Sequence, residues 1–355
     1  MRFYSQEDRQ VSQLSKEIHE QPQVLTRLLD EQTETAAQIA SAIRARDVHY
    51  AVFAARGTSD NAARYAKYLF GALVELPVAL ATPSLFSIYH TPPQLHDALV
   101  LGVSQSGQSP DVVSVVEEGR RQGALAIAVT NTSDSPLAQA AELVLPLEAG
   151  EEKAVAATKT YTAQLAALAL LAVQLASDDE RLAALRRMPK AVEQTLALEE
   201  SIAQAAQRYA YATECIVLGR GYNYATAFEI ALKLKELTYI IAEPYSPADF
   251  RHGPVALIEH GFPVVVVAPQ GAVYPDILDL THELADREAE LIVISGQEEP
   301  LQLARTPLRL PADLPEWLSP FTCVVPGQLL ALYTTLAKGY EPDHPRGLTK
   351  VTETR

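Results

Sequence analysis

The chain is built twice over. Continuous apolar runs of strand length stand at 50–55 (YAVFAA), 98–104 (ALVLGVS) and 125–130 (LAIAVT), and again at 215–219 (CIVLG), 263–268 (PVVVVA) and 290–295 (ELIVIS). Runs without polar alternation belong to strands covered on both faces, as in a parallel sheet. Helix-length segments at 61–73, 110–122 and 275–287 lie between them, a βαβ rhythm with right-handed crossovers. Landmarks recur at one interval: Arg56-Gly57 with Arg220-Gly221, Ser104 with Ala268, and Pro136-Leu137 with Pro300-Leu301 are each 164 residues apart. The expected fold class is α/β, two tandem subdomains, each a parallel sheet flanked by helices.

The expected organisation is an N-terminal helical segment at 1–46, a first subdomain at 47–157, connecting helices at 158–207, a second subdomain at 208–312, and a C-terminal helix and tail at 313–355. The connecting helices are expected to break near 177–179 and at Pro189. A length of 355 residues, 48% of them hydrophobic, leaves room for two cores. The apolar run at 165–173 is well short of the roughly 20 residues that span a bilayer, so it reads as a buried helix. The first ten residues are polar, without the apolar stretch of a secretory signal, and a cytoplasmic protein is expected.

Charge and cysteine content exclude several classes. Lys and Arg number 29 against 44 Asp and Glu, a net charge of −15 that has the wrong sign for coating nucleic acid or an anionic membrane. Neither is an expected partner, and any anion must be bound locally. Cys215 and Cys323 are the two cysteines; they form no CxxC pair, which rules out a disulfide framework and a cysteine zinc site. No metal and no cofactor is expected.

The local site is SQSGQSPD at 104–111, directly after a strand and before a helix. Backbone N–H groups, a positive dipole end and three serine hydroxyls would share one cup suited to a phosphate without an arginine. The alternative is a Ser/Asp helix cap with nothing bound. The second copy has APQGAV in the equivalent place and lacks the serines. ARGTSDN at 55–61 ends the preceding strand at the carboxyl edge where open α/β sheets bind ligands, with Thr58 and Ser59 as hydroxyl donors. Its counterpart GRGYNY at 219–224 has Tyr224 where a dinucleotide fingerprint needs its third glycine, which argues against NAD.

Acid and base candidates cluster later. Glu229, Lys233 and Glu236 share one face of a helix at 229–237, either as a solvated salt-bridged stripe or, given apolar flanks nearly all round, as charges held in a cleft. A carboxylate so held can act as a proton shuttle. His252 precedes Gly253-Pro254 and suits general acid/base work at neutral pH; without a second His at ligand spacing it is not a metal ligand. Lys350 stands in the final PRGLTKVTETR, where most lysines are simply solvated.

Together GTS at 57–59, SQSGQS at 104–109, ALKLKE at 231–236, HGP at 252–254, EIHEQP at 17–22 and the terminal GLTKVTE resemble the sugar isomerase (SIS) domains that form the isomerase half of glucosamine-6-phosphate synthase. The synthase carries a glutaminase domain before that half, and none is expected here. Its GVASTK-like loop has a serine where this chain reads EEKAVAATK with Ala157. That loop, RGTSDNAARYAKYLF and the ending LTKVTET look most like the type II glucosamine-6-phosphate deaminases, stand-alone double-SIS enzymes.

The resemblance implies conversion of glucosamine 6-phosphate and water to fructose 6-phosphate and ammonia. It implies phosphate on Ser104, Gln105, Ser106 and Ser109, with Thr58, Ser59, Ala157 and Lys233 completing the substrate-binding set. His252 would open the sugar ring, Glu236 would carry the proton between C2 and C1, and Lys350 would either form a Schiff base or close the tail over the substrate. A homodimer with shared active sites is also implied. Rivals are a fructosamine-6-phosphate deglycase, a plain aldose-ketose isomerase and, in another class, a non-catalytic phosphosugar sensor.

Overall fold

The computed structural model describes residues 12–311 and 314–350. The chain divides into two units. The first holds Gln21–Glu152, Lys159–Arg187 and the stretch from Thr349; the second holds the residues before Gln21, Lys153–Thr158 and Met188–Leu348. Helix α1 (Gln13–His19) thus belongs with the second repeat, not with the first that follows it.

The first unit runs α2 (Gln21–Arg44), β1 (Tyr50–Ala54), α3 (Gly57–Val74), β2 (Val78–Leu80), α4 (Ser84–Ser87), β3 (Ala98–Ser104), α5 (Pro110–Arg121), β4 (Leu125–Thr130), α6 (Pro136–Ala140), β5 (Leu143–Pro146) and α7 (Lys159–Ala176). All five strands are parallel, in the order β2-β1-β3-β4-β5. Every residue of β3 and β4 is buried, which is why their sequences read as unbroken apolar runs. Helix α5 begins with Pro110 and an acidic Asp111 and ends with Arg120 and Arg121, as its dipole favours. Its stripe of Val112, Val115 and Val116 packs on Val100, Ala126 and Ala128 of the sheet. The apolar run at 165–173 lies in α7 and is buried throughout.

Helix α8 (Asp179–Leu196) follows without the expected break at Pro189, which sits inside it. A proline here has no N–H to donate and its ring crowds the carbonyl one turn back, yet the helix continues, and the stop comes at Ala197 and Leu198, whose N–H groups turn to Gln194 and Thr195 in tighter three-residue bonds.

The second unit continues with α9 (Glu199–Ala206), β6 (Glu214–Leu218), α10 (Tyr224–Thr238), β7 (Ile241–Tyr245), α11 (Pro247–Arg251), β8 (Pro263–Val267), α12 (Tyr274–Asp286), β9 (Glu290–Ser295), α13 (Glu298–Leu303), β10 (Thr306–Arg309) and α14 (Ser319–Ala337). Its strands are again parallel, in the order β7-β6-β8-β9-β10, the same topology as the first sheet. The repeat extends to detail. Leu137 and Leu301, paired by the 164-residue interval, are buried in the two equivalent sheet clusters. Arg56 and Arg220 have the same extended backbone before a left-handed glycine, with φ of −139° and −135°.

By length and composition 316–337 could cross a membrane, but 89% of its apolar 18-residue window is buried inside the protein, as expected of a core helix. It is the helix expected within 313–355, its apolar run interrupted by Thr322, Pro326, Gln328, Thr334 and Thr335. Both cysteines are buried and unpaired; burial pushes the Cys215 thiol up to about 12 and Cys323 further in the same direction, so neither is a nucleophile.

Candidate active site

In the first unit β3 delivers Ser104 to the carboxyl edge of the sheet and α5 starts at Pro110. The turn between them folds on its own hydroxyls. Ser104 Oγ accepts the Gly107 N–H at 3.1 Å and Ser106 Oγ accepts the Gln108 N–H at 3.3 Å. The Gln105 carbonyl accepts the Asn131 N–H at 3.1 Å and the Thr130 hydroxyl at 3.3 Å, which ties the turn to the end of β4. Gly107 has φ of +64°, and a Cβ there would lie 2.1 Å from Ser135 Oγ, so only glycine closes this loop. Ser109 occupies the cap position of α5, yet its hydroxyl makes no capping bond. A serine in that position normally spends its hydroxyl on the helix. Here it is spare for a ligand beside the positive end of a 12-residue helix.

Arg56 does not serve the cup as a free cation. Its Nε lies 2.6 Å from Oδ2 of Asp111, a fully buried carboxylate. Ser59, in the first turn of α3, is buried and its Oγ accepts from Gln164 Nε2 at 2.8 Å, which leaves its own hydrogen to donate. Thr58 beside it is half-buried. The same unit places Lys350: its Nζ is 2.9 Å from Oε2 of Glu152, whose side chain is fully buried. Glu152 also takes the Thr160 N–H at 3.1 Å and hydroxyl at 2.7 Å. The terminal lysine is therefore held by a specific partner 198 residues away, not solvated.

In the second unit the charged face of α10 is buried, which removes the solvated-stripe alternative. Glu229 and Lys233 are 0% and 1% exposed. Lys233 Nζ sits between two carboxylates, 3.5 Å from Glu229 Oε1 and 2.5 Å from Glu236 Oε2. The contact to Glu236 is an ion pair by distance but lacks hydrogen-bond alignment, and Glu236 Oε2 is a buried atom without a hydrogen-bond partner. One ammonium against two carboxylates, at the partly open end of a buried helix, can hold and release a proton. Leu237 is buried behind it and Leu232 half-buried. His252 closes α11 as an exposed residue before Gly253, whose φ is +150°. Ala157 is half-buried in the 153–158 segment. Of the expected residues, Ser104, Gln105, Ser106 and Ser109 share one turn, and Lys233 and Glu236 share one helix face; Val351 to Glu353 of the terminal motif lie outside the described residues.

The second repeat's equivalent of the cup is filled from within. Gly271, the counterpart of Gly107, has φ of +155°, and a Cβ there would lie 2.2 Å from Cδ of Glu316. That carboxylate accepts the Ala272 N–H at 2.8 Å. The arginine pairing is kept, with Arg220 on Asp276, which also takes Arg251 Nη1 at 2.8 Å. Sequence reasoning missed Asp111, Glu152, Gln164 and Glu316. Asp111 and Glu152 lay inside quoted motifs without being singled out; Gln164 and Glu316 act across long chain separations.

Known proteins bear on this arrangement at several levels. The SIS domain matches residues 46–174 and 209–338, one copy on each sheet. The chain is 38% identical over 349 residues to glutamine–fructose-6-phosphate aminotransferase (isomerizing) of Thermus thermophilus, covering 94% of this chain and 58% of that protein. It therefore spans under two thirds of the curated relatives it matches. A provisionally named phosphosugar isomerase from Silicibacter pomeroyi has a structure 33% identical, with a TM-score of 0.85, over 94% of this chain and 100% of that one. Glucosamine-6-phosphate deaminase from Thermotoga maritima, 21% identical with a TM-score of 0.79 over 97% of this chain and 100% of that one, shares the fold. With two SIS matches lying on two equivalent parallel sheets, this chain belongs to the SIS-domain family.

Proposed function

We propose that the chain is an isomerising aminosugar-phosphate deaminase, converting glucosamine 6-phosphate and water to fructose 6-phosphate and ammonia. The observation that carries the reading is Glu236: a buried carboxylate oxygen with no hydrogen-bond partner, held beside Lys233 on a helix otherwise packed in the core. Such an atom suits a proton that must leave one carbon and arrive at the next.

The chemistry follows in order. The 104–109 turn takes the phosphate on serine hydroxyls and backbone N–H groups. A closed pyranose offers no acidic C–H, so His252 first moves a proton from the anomeric hydroxyl to the ring oxygen, giving the open aldehyde. Glu236 then removes the C2 proton as O1 takes a proton from water, giving an enaminol, and returns the proton to C1 as the amine nitrogen gives one up to water, with Lys233 balancing the charge. The amine carried on C2 thereby becomes a ketimine, and water adds to it and expels ammonia. Lys350, paired with Glu152, is assigned to the carbonyl end of the open sugar. The exposure of His252 supports its reaching a site in a second copy, which makes a homodimer part of the proposal.

A second reading rests on the 38% identity to the aminotransferase: the same carbon chemistry run toward the aminosugar. One assay separates them. The chain is incubated with glucosamine 6-phosphate, galactosamine 6-phosphate or fructoselysine 6-phosphate, and in the other direction with fructose 6-phosphate plus either ammonia or glutamine. Ammonia and fructose 6-phosphate from the first substrate support the deaminase. Release of lysine from the third assigns a deglycase instead, and isomerisation without ammonia assigns a plain isomerase.

A further inference from the structure

EIHEQP at 17–22 carries a residue that the chemistry above leaves unused. Glu17 lies on α1 and is 0% exposed. Its Oε1 accepts the Lys153 N–H at 2.5 Å, its Oε2 accepts the Ala154 N–H at 3.1 Å, and Gln13 Nε2 donates to Oε1 at 2.8 Å. Segment 153–158 forms neither helix nor strand, although Ala154, Ala156 and Thr158 are buried. A carboxylate gripping two successive N–H groups fixes the orientation of the peptide between them, three residues before Ala157. The grip is itself braced. Asp343 accepts the Gln13 and Leu14 N–H groups at 2.8 and 2.9 Å, and Ser12 Oγ accepts the Ser15 N–H at 3.1 Å, so the first turn of α1 is held in place.

We propose that Glu17 is a positioning residue, holding segment 153–158 so that Ala157 and Thr158 present a fixed wall to the sugar carbons; this rests on the proposed function. A buried charge is a poor device for stability alone, since a well-packed neutral residue often serves as well. What it supplies is direction. Glu17→Gln keeps the volume but turns an amide donor against a backbone donor, while Glu17→Asp keeps the charge and shortens the reach.

Steady-state kinetics and hydrogen exchange of the full chain test this. For Glu17→Gln the expected result is a kcat reduced about tenfold or more, the scale on which small misplacements act. KM should stay within about twofold, because the phosphate turn at 104–109 makes its own bonds, and exchange at Lys153 and Ala154 should accelerate. Glu17→Asp should recover part of kcat, and it replaces the glutamine variant if that one does not fold. A kcat per folded molecule equal to wild type overturns the proposal. So does a kcat loss without faster exchange at 153 and 154. Wild-type turnover reports separately on the function: a chain that isomerises another sugar phosphate removes the deaminase reading but still yields the variant-to-parent ratio, and a chain inactive on every sugar phosphate overturns both.

Discussion

The two repeats share strand order, helix entry and an arginine–aspartate pair, yet treat the turn after their third strand in opposite ways. In the first, Gly107 opens a cup of serines, and Ser109 keeps its hydroxyl out of the helix cap. In the second, Gly271 makes room for a carboxylate of the protein itself, and Glu316 takes the Ala272 N–H that an outside anion would otherwise claim. The shared architecture thus makes the same strand–turn–helix edge twice, filled by a carboxylate of the protein in one copy and not in the other. Freed of that task, the second repeat carries the buried acid–base face of α10, whose counterpart α3 presents no such triad: its charged pair Asp60–Arg64 is partly exposed, at side-chain exposures of 28% and 30%. On the proposed function, duplication separates gripping from chemistry.

That division can be broken from either side. The largest effect is expected at the chemical end: Glu236→Gln should lower kcat for ammonia release by about 10²- to 10⁴-fold, the usual contribution of a positioned acid–base group, while leaving binding within a few-fold by calorimetry. Near-normal turnover would take the proton shuttle out of the second repeat. At the gripping end, Ser104→Ala with Ser106→Ala should raise KM about tenfold or more, since each hydrogen bond to a charged group is worth about 1.5–3 kcal/mol. An unchanged KM would leave the two turns functionally alike. Glu316→Ala should leave KM untouched and lower the melting temperature by about 2–4 °C, the effect of losing roughly 1 kcal/mol in a unit of this size. A shifted KM there would mean that the filled turn is not independent of the open one.

The parts of this contrast that the sequence displays are those written locally. Strands covered on both faces announce themselves, as β3 and β8 do, because every residue along them must be apolar. The edge strands β2, β5, β7 and β10 go unseen; they are three to five residues long and half exposed, and β7 includes Glu243 and Pro244. The same holds at the site. Ser104 to Ser109 and Glu229 to Glu236 are each one turn or one helix, and periodicity suffices to group them. Glu152 meets Lys350 across 198 residues and Glu17 meets Lys153 across 136, pairings that exist only once the chain has folded. Pro189 misled for a related reason: a tertiary environment can carry a helix through a residue whose local preference is to end it.

The smallest effect concerns how α1 is tied to the second repeat. His19 Nε2 lies 3.1 Å from Glu199 Oε2, and the Tyr333 hydroxyl donates to Glu199 Oε1 at 2.6 Å, joining α1, α9 and α14. The hydrogen bond that His19 donates to Glu199 raises the His19 pKa above its ordinary 6.5, outweighing burial, which acts the other way. Burial alone would lift the Glu199 carboxyl, but the bonds from His19 and Tyr333 with the histidine's charge together bring it below its ordinary 4.5. The signs set a window. The histidine's contribution is complete below pH 6.5 and fades as pH rises through its raised folded value; the carboxylate's is complete above pH 4.5 and is lost as pH falls through its lowered one. His19→Gln should therefore cost about 0.5–1 kcal/mol near pH 5.5, a modest value because the pair is part exposed, and nothing at pH 9. Urea unfolding of the parent and His19→Gln at both pH values measures this, and a loss of the same size at pH 5.5 and pH 9 would take the histidine's charge out of the tie between α1 and the second repeat.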